Sequence, residues 1–475
     1  MDYPNPTRGL RALVAGTEID VPVLDGSRQR YINFDNAAST PALIAVRDGV
    51  DRFLDYYASV HRGTGFKSQL ATWAYELARH HTLAFVGARP ETHTCIFGKN
   101  TTEATNKLAR RLDLRTGDVV LTTEMEHHSD DLPFRAAAHT VHAAVDAQGR
   151  LDEADYDRLL RQHQGKLRLV AVTGASNVTG FLNPIHRLAE KAHAVGALFL
   201  ADCAQLAPHR AVDMRDLTDP GHLDFVALSA HKMYAPYGTG ALIGRKDVFE
   251  AGEPDVRGGG TVEVVTIDSV AWAAPPDKDE AGSPNVVGAV ALALAIRELG
   301  LIGMPSIARH EAALTTHALR GLACVRGVRV FGDADPERAA ERLGVIPFGI
   351  DGISHFLVAA ILGYEFGIGV RSGCFCAHPY VLRLLGMDHV QAESARARIL
   401  AGDRREMPGM TRISFGLYNT ADEVERFLEA LAVVAAGKQR GRYTQDTATG
   451  EYRPDGWAPD FDGVFALSSP TAERA

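Results

Sequence analysis

Lysine is the scarcest charged residue in this chain, with nine against forty-one arginines. No Lys/Arg-rich run occurs and the formal net charge is −9. A concentrated basic surface of the kind that holds nucleic acid is thereby excluded. No apolar stretch reaches the roughly 18 residues needed to cross a bilayer. The opening segment, MDYPNPTRGLRALVAGTEID, also lacks the apolar centre of a signal peptide. The expectation is a cytoplasmic protein without membrane contact. Cysteine is sparse and odd in number: Cys95, Cys203, Cys324, Cys374 and Cys376. That set does not suit a secreted disulfide framework, which leaves buried filler or working thiols.

With 475 residues the chain is too long for one compact core, so two domains are expected. Forty-five glycines favour an α/β fold with many tight turns. The runs HTCIF, DVVLTTE, LRLVAVTGASN, ALFLADCAQ, DFVALSAHK and GALIGR read as buried strands alternating with amphipathic helices. That alternation predicts a mostly parallel sheet covered on both faces, with ligands at the carboxyl ends of its strands. Residues 31–300 form this larger domain. Beyond the helical run VVGAVALALAIRELGL the strands thin out to VRVFG and MTRISFG. Residues 301–437, joined by 1–30, predict a smaller α+β domain. The tail 438–475 is polar and rich in Gly, Pro and Asp, which reads as disorder. Tyr443, Tyr452, Trp457 and Phe461 supply the other reading, an ordered arm across a neighbouring surface.

Lys232 follows the apolar strand LDFVALSA in Ser229-Ala-His-Lys. A lysine buried at a strand end is costly unless neutralised or bonded. A Schiff base to an aldehyde cofactor answers that cost; a surface lysine just past a strand is the plainer reading. Three other pieces favour the first, because together they suit pyridoxal phosphate (PLP). Asp202, at the end of ALFLADCAQ with Gln205 three residues on, offers a carboxylate to a pyridine nitrogen. Thr101 and Thr102 open the helix after Gly-Lys-Asn and offer hydroxyls to a phosphate at a helix N-terminus. His127, in Glu-Met-Glu-His-His, can stack on the ring and move protons. A second centre, Arg371-Ser-Gly-Cys-Phe-Cys-Ala-His-Pro, admits three readings: a zinc site, a pair of small hydrophobes, or a nucleophilic cysteine. Arg371 and His378 would favour a thiolate and support the last.

On these residues the chain resembles the class V aminotransferase group of fold-type I PLP enzymes, and within it type II cysteine desulfurases and selenocysteine lyases. FDNAAST, VHRGTG, NTTEATN, EMEHH, SNVTG, DCAQ, SAHKMYAPYGTG, RGGG, EAGSPN, RSGCFCAHP and RISFGLYNT carry the likeness from about Asn33 to Thr420. The resemblance implies that Lys232 anchors PLP and later moves the substrate Cα proton. Asp202 pairs with the ring nitrogen, Gln205 with the ring hydroxyl, and His127 stacks on the ring. Thr101, Thr102, Ser229 and His231 hold the phosphate, with Ser283 and the loop 257–260 supplied across a homodimer. Asn36, Ala37, Asn177, Arg371 and Arg412 surround the substrate, Asn177 also bordering the cofactor. Cys376 falls on the catalytic cysteine, which takes sulfur from a cysteine-like amino acid as a persulfide, releases alanine, and hands the sulfur to a protein or small thiol. No metal is implied.

Three features set the chain apart within that resemblance. Cys374-Phe375 precedes the cysteine, closer to the molybdenum-cofactor sulfurase branch. Residues 380–409 stand as an insertion between the cysteine loop and Arg412, and EHHSDDLPF and the aromatic-bearing tail are unusual. Insertion and tail motivate an alternative, a C–S lyase acting on an S-substituted cysteine, which needs Lys232 but no thiol.

Overall fold

The computed structural model describes residues 6–466; the ends of the expected small domain and tail, 1–5 and 467–475, lie outside the described residues. Apolar runs form a seven-stranded sheet in the order His93–Gly98, Gly240–Arg245, Phe225–Ser229, Leu198–Asp202, Leu167–Thr173, Val119–Thr123, His139–Ala143. All run parallel except Gly240–Arg245, which is antiparallel to both its neighbours. Every residue of Val119–Thr123 and Phe225–Ser229 is buried, as expected where helices cover both faces. The architecture is the α/β fold the sequence predicts.

Gly98, Thr123, Thr173, Asp202 and Ser229 end their strands along one edge of this sheet. Gly240 begins the antiparallel strand there, paired with both Gly98 and Ser229. A Cβ at Gly240 would stand 2.6 Å from both the Asn100 Cα and the Leu228 oxygen, so only glycine lets these backbones meet.

A second, wholly antiparallel sheet runs Val328–Val330, Val345–Ile350, Met410–Ser414, Arg371–Gly373. Its core joins Leu314, Leu322, Phe348, Ile413 and Phe427 to Ile32 and Phe34. The early residues divide rather than joining one domain: Val14 packs in the larger core, and Ile32–Asn33 pairs in parallel with Ile368–Gly369 beside the smaller one. Buried Glu311, on helix Met304–Cys324, accepts from Arg210 (2.6 Å) and lies 2.9 Å from His209, both on the larger unit. Those two partners hold its carboxyl down to about 2 despite burial.

The tail is ordered over much of its length, which overturns the reading of disorder. Tyr443–Gln445 and Tyr452–Pro454 form a hairpin. Buried Glu365 accepts from the Arg440 and Gly441 amides and the Tyr443 hydroxyl, each at 2.9 Å. Trp457 meets Tyr364 edge-on at 5.5 Å. Composition undercounts such a segment because one buried acceptor satisfies three donors at once.

The insertion forms helices His378–Leu384 and His389–Leu400, the second standing largely in solvent with Val390 76% exposed. Its exit is tied to the tail: Arg404 N donates to Thr447 O (2.9 Å) and Gln445 Nε2 to Arg405 O (2.9 Å). Pro408 O then accepts from Cys374 Sγ at 3.0 Å. Tail, insertion and cysteine loop are thus braced in series.

Replacing Glu365 with Ala strands three donors and is expected to cost about 2–4 kcal/mol. Limited proteolysis with peptide mapping should show faster cleavage between 438 and 460 than in the wild type.

Candidate active site

At the carboxyl edge of the large sheet a cavity of about 220 Å³ gathers Ala37, Thr101, Thr102, His127, Asn177, Asp202, Gln205, Ser229, His231, Lys232, Arg371, Cys376 and Arg412. Thr101 to Lys232 converge there because the parallel strands all end on that side, and Ala37, Arg371, Cys376 and Arg412 reach it from the early segment and the smaller sheet. Two expected residues lie elsewhere. Asn36 is buried beneath the cavity, and its Nδ2 donates to Asn33 O (3.0 Å) and Ser414 O (3.0 Å) while its Oδ1 accepts from Tyr418 (2.7 Å). This corrects the substrate role expected of Asn36: its carboxamide is spent on joining the chain's early segment to strand Met410–Ser414. Ser283 is exposed and lines a separate hollow of about 370 Å³ with Tyr57, Gly259, Gly260 and Glu280.

Lys232 ends the short helical turn Ala230–Lys232 immediately after strand Phe225–Ser229. Among the described residues its Nζ makes no hydrogen bond. Burial pushes the amine down to about 8, opposed by the nearby Asp202 carboxylate. Near neutrality a useful fraction is therefore the free, nucleophilic amine. Asp202 is 4% exposed and accepts from Ala204 N at 2.9 Å; burial raises its pKa. Gln205 Nε2 donates to Ala37 O at 2.6 Å.

His127 precedes the turn His128–Asp130, and its Nδ1 accepts from Ser129 N at 3.1 Å. A backbone amide can only donate, so the ring proton of neutral His127 sits on Nε2. Burial first, then Lys232, pushes this imidazole down to about 3, which keeps it neutral at working pH.

Asn100 caps helix Thr101–Arg111 by accepting from Glu103 N (3.0 Å). Ser229 Oγ stands 2.9 Å from both Thr101 N and Thr101 Oγ1, and Thr102 Oγ1 lies 2.6 Å from Ser129 Oγ. First-turn amides plus hydroxyls make an anion cradle. His231 borders it, held neutral by burial and by Lys232, with its pKa lowered to about 4.

The cysteine loop is bent by two successive left-handed residues, Phe375 (φ 52°) and Cys376 (φ 54°). That conformation costs non-glycine residues roughly 1–2 kcal/mol apiece. The contacts that hold it are specific. Asn177 Nδ2 donates to Phe375 O (2.7 Å), His128 N donates to Cys376 O (2.7 Å), and the Arg412 guanidinium lies 4.7 Å from the Phe375 ring centre. Cys374 is buried and its thiol is raised to about 12, whereas Cys376 is exposed. The sequence expectation placed Arg371 and His378 beside the thiol. His378 is instead stacked on His128 at 4.9 Å, whereas Arg371 lines the same cavity as Cys376, together with Lys232 and Arg412.

Arg412 is 2% exposed; it donates to Asn177 O (2.8 Å) and Asp35 (3.0 Å), while its enclosed Nε has no partner among the described residues. Arg371, half in solvent, reaches the same Asp35 at 3.5 Å. Two guanidiniums lining one cavity suit a ligand carboxylate. Asp35, Asn100, Ser129 and Phe375 escape sequence reasoning because each acts on a neighbour through geometry rather than by residue type.

These donors fit pyridoxal phosphate: a depressed lysine for its aldehyde, a buried carboxylate for its ring nitrogen, a planar neutral histidine, and a capped helix start for its phosphate. Reductive alkylation of Lys232 in cofactor-free protein by a small aldehyde should show a midpoint near pH 8. In Asp202→Asn the midpoint should fall, because the carboxylate that favours the charged amine is gone; peptide mapping reads both.

A family model described as aminotransferase class-V matches residues 32–427. A probable cysteine desulfurase of Halobacterium salinarum is 34% identical over 427 residues, covering 88% of this chain and 95% of that relative. A cysteine desulfurase of Dickeya dadantii is 34% identical over 424 residues, covering 87% and 94%. The apo structure of a cysteine desulfurase from Thermococcus onnurineus superposes with a TM-score of 0.75 at 33% identity, over 92% of this chain and 99% of that one. The S-sulfonic acid form of the Escherichia coli cysteine desulfurase CsdA gives 0.73 at 27% identity, over 91% and 99%. The chain belongs to the class-V aminotransferase family, whose members are pyridoxal-phosphate enzymes.

Proposed function

We propose that this protein is a PLP-dependent cysteine desulfurase that moves sulfur from L-cysteine onto Cys376 and releases alanine. The observation that carries the reading is an exposed thiol on a bent loop, facing the same cavity as Lys232 and Arg412. Pyridoxal phosphate bound there supplies an aldehyde for the substrate amine and an electron sink for bonds at the substrate's α-carbon. The chain's own residues do the rest. Lys232 would anchor the cofactor and, once released, take the Cα proton as a free amine. Asp202 would hold a proton on the ring nitrogen, Gln205 would meet the ring hydroxyl, and neutral His127 would lie against the ring. Thr101, Thr102, Ser229 and His231 would hold the phosphate.

Arg412, which lines the cavity, would bind the substrate carboxylate, with Asn177 and Arg371 beside it. This orients the substrate's Cβ–Sγ bond towards the cysteine loop. The Cys376 thiolate attacks Sγ; the new S–S bond forms as the Cβ–Sγ bond breaks, with its electron pair staying on the carbon skeleton. Protonation gives alanine and leaves a persulfide on Cys376. An acceptor thiol, on a protein or a small molecule, then takes the outer sulfur, which the exposure of Cys376 permits.

The working unit in this reading is a cytoplasmic homodimer. Support comes from apolar side chains left in solvent on helix Phe66–Phe85 and the hairpin Val262–Val265/Val270–Trp272: Phe66 (72%), Trp73 (63%) and Ile267 (102%). Ser283 and the 257–260 loop would face the partner's cavity from that side.

Cys376→Ala should lower alanine formation from L-cysteine by at least about 100-fold while leaving cofactor binding intact. Mass spectrometry of wild type after one turnover should find one added sulfur on the Cys376 peptide. Full activity in the variant, or pyruvate and ammonia in place of alanine, would overturn the thiol route in favour of elimination.

A further inference from the structure

Beneath Asp202 lie two acids that the proposed chemistry does not use. Asp130, in the turn His128–Asp130, is completely enclosed, and among the described residues neither of its carboxyl oxygens has a hydrogen-bond partner. It faces Glu126, 3% exposed, and the two carboxyls are within hydrogen-bonding reach of each other. Glu126 is otherwise fixed: Oε1 accepts from Thr123 Oγ1 (2.7 Å) and Oε2 from Thr173 N (2.9 Å). Thr173 is paired in register with Asp202 on the adjacent strand, which places the two acids behind the Asp202 carboxylate.

Two carboxylates facing each other are both acceptors, and an enclosed carboxylate without a donor is untenable. One proton between them resolves both difficulties. We propose that Glu126 and Asp130 form a buried carboxyl pair sharing one proton, and that they are positioning residues for Asp202. The pair carries a single negative charge, held by the Thr123 hydroxyl and the Thr173 amide. Its repulsion makes Asp202 a stronger base, so that Asp202 grips a protonated ring nitrogen more firmly. The proton in the pair keeps a third charge out of the same space.

The other titratable groups around the pair do not supply the missing donor. Asp131 is turned to Arg135 and His142 (2.6 and 2.8 Å), and the Lys232 amine acts on Asp202 from the cavity side. The enclosed Cys203 thiol is driven well above its usual range, partly by Asp130 itself. Burial, and after it the Asp202 charge, pushes Glu126 up to about 8, while burial and then the Glu126 charge raise Asp130 well above the carboxyl range. A folded-state acid raised in this way binds its proton more tightly than the unfolded chain. Its contribution to stability therefore declines as pH rises from the ordinary carboxyl range through about 8.

The shared proton is independent of the cofactor reading; only its action on Asp202 rests on it. Infrared difference spectra of purified holoenzyme at pH 7.5 should contain the carbonyl stretch of a protonated carboxylic acid. Asp130→Asn, which gives Glu126 a permanent N–H donor, should lose that band, as should Glu126→Gln. Between pH 5.5 and 7.5 the unfolding equilibrium constant of wild type relative to Asp130→Asn should rise by up to about tenfold per pH unit, the signature of one linked proton. In the same variant the pH titration of the bound cofactor's visible absorption should shift. Absence of the infrared band in wild type, or parallel stability profiles, overturns the pair. Band and slope present with an unmoved cofactor titration overturn the role towards Asp202. A protein that binds no PLP but keeps band and slope would instead sink the function proposed above.

Discussion

The Arg412 guanidinium is the contact on which the site depends. It sits on a buried strand of the small sheet and touches three otherwise unrelated parts of the chain: Asp35 from the early segment, Asn177 from the large domain, and Phe375 from the cysteine loop. Enclosing a cation costs several kcal/mol unless geometry returns it. Here one carboxylate, one carbonyl and an aromatic face do so, and Nε remains without a partner among the described residues. The price of that arrangement is tolerable because the same residue fixes where the two domains meet and where the thiol loop lies.

Around Arg412 the enclosed polar groups are kept in particular charge states by burial more than by pairing. Lys232 is lowered to about 8, and His127 and His231 to about 3 and 4. Two neutral imidazoles beside a partly neutral amine leave the two arginines lining the cavity, Arg412 and Arg371, as the cations an incoming carboxylate would meet. Proton exchange in the cavity then falls chiefly to Lys232, the group whose affinity lies nearest neutrality.

The sequence makes the large domain legible because a parallel sheet buried on both faces needs unbroken apolar runs, and three of them end in cavity residues, Thr173, Asp202 and Ser229. Asp202 ends a strand and Thr101 starts a helix, and Lys232 and His127 lie within four residues after a strand end, where period and position coincide. The small sheet is harder to read. Strand Val345–Ile350 contains Pro347, which argues against a strand, and Arg371–Gly373 is three residues long. The tail misleads because polarity is averaged over residues whereas order comes from one acceptor, Glu365. Asp130 sits in a polar string, HHSDDLPF, that looks solvated; its burial is visible only in three dimensions.

Asp35 and Arg412 are separated by 377 positions, and Ser414 forms a bridge with Asp35. Contacts of that span cannot form until nearly the whole polypeptide has emerged during synthesis. The sheet carrying Lys232 and Asp202 can be complete while Cys376 and its carboxylate clamp are still being made. Maturation thus has a built-in order: the pocket for the aldehyde precedes the reactive sulfur, and the last residues to arrive decide when the catalyst is switched on.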